Sequence, residues 1–122
     1  FGSNVYTWIS SNVDPAPWLQ LEMTTPTTIT HYHFSRGYCS AEAYFAGSWT
    51  ISGSNDTTNW TQIEVVAADQ SAFFPKATAC TEFGPTYPID NPGSYQYYRF
   101  DFTASPLSST SGVSVGEIEL LN

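Results

Sequence analysis

His31 and His33 stand two residues apart in Ile29-Thr-His-Tyr-His-Phe34, and Glu117 and Glu119 do the same in Val115-Gly-Glu-Ile-Glu-Leu120. In extended chain a period of two puts each pair on one face of a strand, and two imidazoles so placed supply two ligands for a transition metal. Two ligands without a third make no site, so the histidines are expected on an ordinary outward strand face. Cys39 and Cys80 permit one intramolecular bridge if the fold brings them together, or remain two separate buried thiols. Asn55-Asp-Thr57 and Asn59-Trp-Thr61 both fit the N-glycosylation acceptor pattern, but they lie in a turn whose residue types the fold itself requires. Catalysis finds no footing. The chain has no H-E-x-x-H and no phosphate-binding glycine loop, and Glu117 and Glu119 lie on a terminal strand with no partner motif.

The elements that carry these residues read as short strands between turn formers. Trp18-Leu-Gln-Leu-Glu-Met23 alternates, with Leu19, Leu21 and Met23 on one face and Trp18, Gln20 and Glu22 on the other. A turn is expected around Pro26, followed by a strand over Ile29–Phe34 and a loop over 35–47. Trp49–Gly53 and Trp60–Val66 form a hairpin across the polar turn Ser54-Asn-Asp-Thr-Thr-Asn59, with Trp60 folding back as a structural pin. After a long irregular, proline-rich stretch, Tyr97–Phe102 alternates with Tyr98, Phe100 and Phe102 inward, and Gly112–Leu121 closes the chain with Ile118 and Leu120 on one face. The predicted core is Leu19, Leu21, Tyr32, Phe34, Ile51, Tyr98, Phe100, Ile118 and Leu120. Six or more short strands with long connections predict one all-β domain over 1–122, an antiparallel β-sandwich of jelly-roll type.

Composition sets the partners. Aromatic residues make up 16% of the 122 positions, and Lys76, Arg36 and Arg99 face eleven carboxylates for a net charge of −8. Such a surface repels phosphate backbones and anionic bilayers, which excludes nucleic acid as a partner. No apolar run approaches the ~20 residues that cross a bilayer, so no membrane insertion is expected. A lysine-poor, Ser/Thr-rich background fits an extracellular, cell-surface or virion-surface setting.

Four blocks, in order, resemble the discoidin or coagulation-factor C-type domain and its bacterial relatives among galactose-binding carbohydrate modules. They are Pro17-Trp-Leu-Gln-Leu-Glu22, the strand ending Phe34-Ser-Arg36, Trp49-Thr-Ile-Ser-Gly-Ser-Asn-Asp-Thr-Thr-Asn-Trp-Thr61, and Tyr97-Tyr-Arg-Phe100 with Val115-Gly-Glu-Ile-Glu-Leu120. The resemblance implies a galactose-binding-domain-like sandwich that binds rather than catalyses. Relatives carry another strand ahead of the segment matching Phe1–Trp8, so the usual first strand is expected from preceding residues or from a neighbouring copy.

The resemblance also places a ligand on loops at one end of the sandwich, where an aromatic face and planar polar groups hold a sugar. Arg36 matches an arginine that contacts sugar in galactose-binding relatives, with Tyr38 and Tyr44 close in sequence. Such relatives carry a His after the first Trp; here Ile9 follows Trp8, and Ser11 and Asn12 are the substitutes. A structural calcium is implied at Glu117, which matches the family's C-terminal glutamate, with Ser3 and Asn4 offering oxygens where relatives have an Asp. The expected function is carbohydrate binding and adhesion to glycans of a cell or matrix surface. The alternative is a decoration module of a virion, fibre or filament that contacts copies of itself or other subunits of an assembly.

Overall fold

The computed structural model describes residues 8–9, 16–34, 46–66, 86–104, 113–115 and 117–122. Every element among them is a strand: β1 (Trp8–Ile9), β2 (Trp18–Thr28), β3 (His31–Phe34), β4 (Ala46–Ser54), β5 (Thr61–Val66), β6 (Tyr87–Pro88), β7 (Ser94–Ala104), β8 (Ser114–Val115) and β9 (Ile118–Leu121). They form a four-stranded sheet ordered β2-β7-β4-β5, a three-stranded sheet ordered β6-β3-β9, and the pair β1-β8. All pairings are antiparallel. The expected all-β sandwich is the observed one.

The two larger sheets face each other across an aromatic layer. Tyr98, Phe100 and Phe102 alternate inward from β7 and are buried, as are Trp49 and Ile51 from β4, Ile63 from β5 and Tyr32 from β3. Tyr32 meets Phe100 edge-on at 5.8 Å, and Trp49 meets Tyr87 edge-on at 5.8 Å, so aromatic contacts join one sheet to the other. Such pairs add ~0.5–1.5 kcal/mol each beyond their area burial. Within the layer, Trp49 Nε1–H donates to the Tyr32 hydroxyl at 2.7 Å. Burial holds the Tyr32 and Tyr87 phenols protonated far above their usual range.

Of the predicted core, Tyr32, Ile51, Tyr98 and Phe100 are fully buried, while Leu19, Leu21, Ile118 and Leu120 are half-buried and pack against that core from strands at sheet margins. The side chain of Phe34 lies outside the described residues. Two boundaries differ from expectation. The turn predicted around Pro26 does not form. Instead β2 runs on to Thr28 and absorbs Pro26 in an irregularity between Glu22 and Thr27, where five residues of β2 advance against two of β7. Because β2 is an edge strand, proline's missing N–H costs no ladder bond there. The C-terminal strand is also two strands, with β8 pairing β1 and β9 pairing β3.

The β4–β5 hairpin closes as expected. Asp56 organises its turn, with Oδ1 accepting from Ser54 Oγ, Thr58 N and Asn59 N at 3.0, 2.9 and 2.8 Å. Trp60 folds back and donates Nε1–H to Thr57 O at 3.2 Å. Gly53 is required by close approach, since a Cβ there would fall inside contact distance of the Tyr95 ring.

Candidate functional site

The outer face of the four-stranded sheet presents the residues of β2, β7 and β4 that alternate away from the core. Register places Trp18, Asp101, Thr50 and Val65 in one cross-strand row, with Gln20, Arg99, Ser52 and Gln62 in the next. Trp18 and Val65, 50% and 48% exposed, are the large exposed hydrophobic residues among those described, and they end the same row. Beside this row, toward Ala16, lies an open groove of about 350 Å³ lined by Ser48, Thr50, Val65, Asp101 and Thr103 among others.

Charge is fixed tightly on this face. Arg99 donates from Nη2 to Asp101 Oδ1 at 2.9 Å and from Nε to both carboxylate oxygens at 3.1 and 3.2 Å, because residues two apart on a strand share a face. Its guanidinium lies 4.3 Å over the Trp18 ring, so one cation holds both the carboxylate and the indole in place. Sequence reasoning set Trp18 outward but did not join it to Arg99. The available signal was an opposite-charge pair at strand spacing, Arg99 and Asp101, beside a tryptophan on the polar side of an alternating strand.

On the outer face of the three-stranded sheet, His33 Nε2 hydrogen-bonds Glu119 Oε2 directly across from it, and Thr86 Oγ1 lies 3.4 Å from His33 Nδ1. His31 is exposed, with Nδ1 3.0 Å from Thr30 Oγ1. The histidines therefore occupy the outward strand face expected of them. Among the described residues no three His, Cys, Asp or Glu side chains are grouped to hold a metal. Nor is any described helix long and apolar enough to cross a membrane.

Two carboxylates are perturbed away from these faces. In the hairpin turn, the Asn59 backbone N–H, followed by the Asn59 side-chain amide and the Thr58 N–H, holds Asp56 well below the usual carboxylate range. Glu64 points inward from edge strand β5 and is 8% exposed, so desolvation raises its pKa against the opposing effect of the Asp90 N–H bonded to Oε2 at 2.8 Å. Both act in the fold. The two sequon asparagines do so as well: Asn55 bonds Ser94 O and Gln96 N, and Asn59 bonds the Asp56 carboxylate.

The loop residues singled out for sugar contact, Ser11, Asn12, Arg36, Tyr38 and Tyr44, lie outside the described residues, as do Ser3 and Asn4 and the pair Cys39 and Cys80. Glu117, half-buried just before β9, is the described member of the proposed calcium set, and its carboxylate is an oxygen donor of the class calcium takes.

Comparison with solved structures gives the fold independent support. Chitosan-binding module 1 of a chitosanase/glucanase from Paenibacillus sp. IK-5 superposes with a TM-score of 0.68 at 21% identity, covering 99% of this chain and 80% of that one. A CBM32 module of Clostridium perfringens in complex with GalNAc-β-1,3-galactose gives 0.70 at 13% identity, covering 95% and 75%. The CBM32 of AlyQ in complex with 4,5-unsaturated mannuronic acid gives 0.68 at 12%, covering 95% and 77%. A search of the curated proteins returns no match. The model of the F5/8 type C domain matches residues 2–109, which span β1 to β7, and the chain belongs to that family.

Proposed function

We propose that this domain is a non-catalytic carbohydrate-binding module that holds a larger secreted or surface protein against a glycan. The observation that supports this most directly is the likeness, over 95% or more of the chain, to modules solved with sugars bound. Within that reading Arg36 is the sugar-contacting cation, with Tyr38 and Tyr44 as the aromatic surface and Ser11 and Asn12 as hydroxyl partners. Glu117, with Ser3 and Asn4, would hold a structural calcium at the chain ends.

Charge narrows the ligand. With three cations against eleven carboxylates, and Arg99 already neutralised by Asp101, the domain repels polyanions. Neutral or amino sugars are favoured over uronate polymers.

A glycan array with the domain tests this. The expected result is retention on neutral or amino-sugar glycans that Arg36→Ala sharply weakens with the melting temperature nearly unchanged. Retention of no glycan overturns the function, and parallel loss of binding and stability makes Arg36 a structural residue. A chelator that leaves the melting temperature where it was removes calcium from the account.

A further inference from the structure

We infer that the outer face of the four-stranded sheet is a second saccharide site, built from residues other than Ser11, Asn12, Arg36, Tyr38 and Tyr44, which takes an extended oligosaccharide across the row Trp18–Asp101–Thr50–Val65. The inference rests on the carbohydrate-binding reading above and adds to it a place, a shape of ligand and a set of residues.

Three observations carry it. The first is where the exposed hydrophobic surface lies. Half-exposed Trp18 and Val65 end one cross-strand row, and with strands ~4.8 Å apart that row spans about 14 Å, enough for a chain of sugars lying across the strands. A groove of about 350 Å³, lined by Asp101, Thr50 and Val65 of the row together with Ser48 and Thr103 beside it, falls in the size range of small-molecule sites.

The second is the order of polarity along the row. A protein-docking surface has an apolar centre and a polar rim. Here the order is reversed, with Asp101 and Thr50 between the apolar ends and Ser48 and Thr103 in the neighbouring row. Hydroxyl and carboxylate groups in the middle match the hydroxyls of a sugar chain, and the ends match the C–H faces of its rings. That arrangement favours a polyol over a second protein.

The third is preorganisation. Arg99 lies over one face of Trp18 and grips Asp101 through two nitrogens, so the stacking ring and the hydrogen-bond acceptor are both set before a ligand arrives. Side chains already ordered cost little further entropy on binding. The Asp101 carboxylate keeps lone pairs for vicinal hydroxyls, and the guanidinium retains N–H donors beyond those given to Asp101. Trp18, Asp101, Thr50 and Val65 are the binding residues; Arg99 positions two of them.

The test is calorimetric titration with three probes, the β-1,4-linked hexasaccharides of glucose, N-acetylglucosamine and glucosamine, against the wild type and single variants. Thr50→Tyr fills the groove while keeping a strand-forming residue and leaving the core untouched, and Trp18→Ala removes the platform. At least one probe is expected to bind, with affinity lowered tenfold or more in both variants at unchanged melting temperature for Thr50→Tyr, and with residual binding in Arg36→Ala that Thr50→Tyr then eliminates. Unchanged affinity in both sheet-face variants, with binding lost in Arg36→Ala, overturns this site and leaves the loop-end function standing. If no probe and no array glycan binds the wild type, both readings fall. If Thr50→Tyr instead changes the sedimentation of the domain and not its saccharide affinity, the face is a protein interface and the proposal is wrong.

Discussion

Glu64 shows how a single side chain can be set against the fold that holds it. Its carboxyl points into the sandwich from an edge strand, in the row of Leu19, Phe100 and Ile51, and one backbone N–H from Asp90 does not replace the water it lost. A charge facing inward at a sheet margin also discourages pairing with another chain. Desolvation leaves its folded-state pKa above the unfolded value, so the native state binds the proton more tightly. The sign follows from linkage: stability falls as pH rises through the interval between the two values, and the ionised group is a burden at neutral pH. Glu64→Gln keeps an oxygen for the Asp90 N–H and is expected to raise neutral-pH stability, with the difference from wild type vanishing under acid. Paired denaturant titrations across pH check this, and a gap that persists in acid would assign the gain to packing. Phe100→Ala is the counterpart at a wholly apolar position. It should cost about 3–5 kcal/mol, as a buried aromatic truncation does, and a loss well under 1 kcal/mol in the same titrations would put the ring at the surface. Phe100 was legible from alternation alone. Glu64 was not, because β5 carries an extra residue at Ile63 where Ile51 pairs Glu64 and Ser52 pairs Gln62, and this bulge buries two successive side chains.

The β4–β5 hairpin is the element whose sequence and structure agree most closely, and the agreement includes a strained residue. Thr57 sits at a φ of 61°, the left-handed region that a β-branched side chain rarely enters. Its neighbours hold it there. Ser54 Oγ accepts from Thr57 N at 3.0 Å, Asp56 gathers the Thr58 and Asn59 amides, and Trp60 locks the Thr57 carbonyl. Thr57→Gly relieves the side-chain cost and keeps every backbone bond. It is expected to stabilise the domain by roughly 1 kcal/mol, less the entropy that glycine adds to the unfolded chain. An unchanged or lowered unfolding midpoint would mean that the Thr57 hydroxyl bond to Asp56 O outweighs the strain. The polar turn between two alternating strands announced this hairpin because its contacts are local. Pro26 announced a turn that did not form, since whether proline breaks a strand depends on its being at a sheet edge. The splitting of the last strand between two sheets was equally hidden. β8 pairs with β1 and β9 with β3, and such distant partners leave no mark on local periodicity.

At the scale of the whole molecule, the acidic balance and the family fold act together on what can bind and on how binding would register. The sandwich is legible from four ordered blocks, but the cross-strand row on its outer face is not. Trp18, Asp101, Thr50 and Val65 come from four strands, and only the register aligns them. A ligand that binds the folded domain alone stabilises it by mass action, by about 2.7 kcal/mol at a hundred times its dissociation constant. For a domain of 122 residues this corresponds to a rise in melting temperature of about 10 °C. A neutral or amino-sugar oligosaccharide that occupies the domain is expected to give such a rise. A galacturonate oligomer at equal concentration should give little at low ionic strength, because a net charge of −8 repels it over the long screening length there. For the amino sugar the rise should shrink as salt is added, since attraction between opposite charges is screened; for the neutral sugar it should hold. Thermal melts at two salt concentrations separate these cases, and a galacturonate oligomer that stabilises the domain as well as the neutral one would show that local contacts, and not the overall charge, choose the ligand.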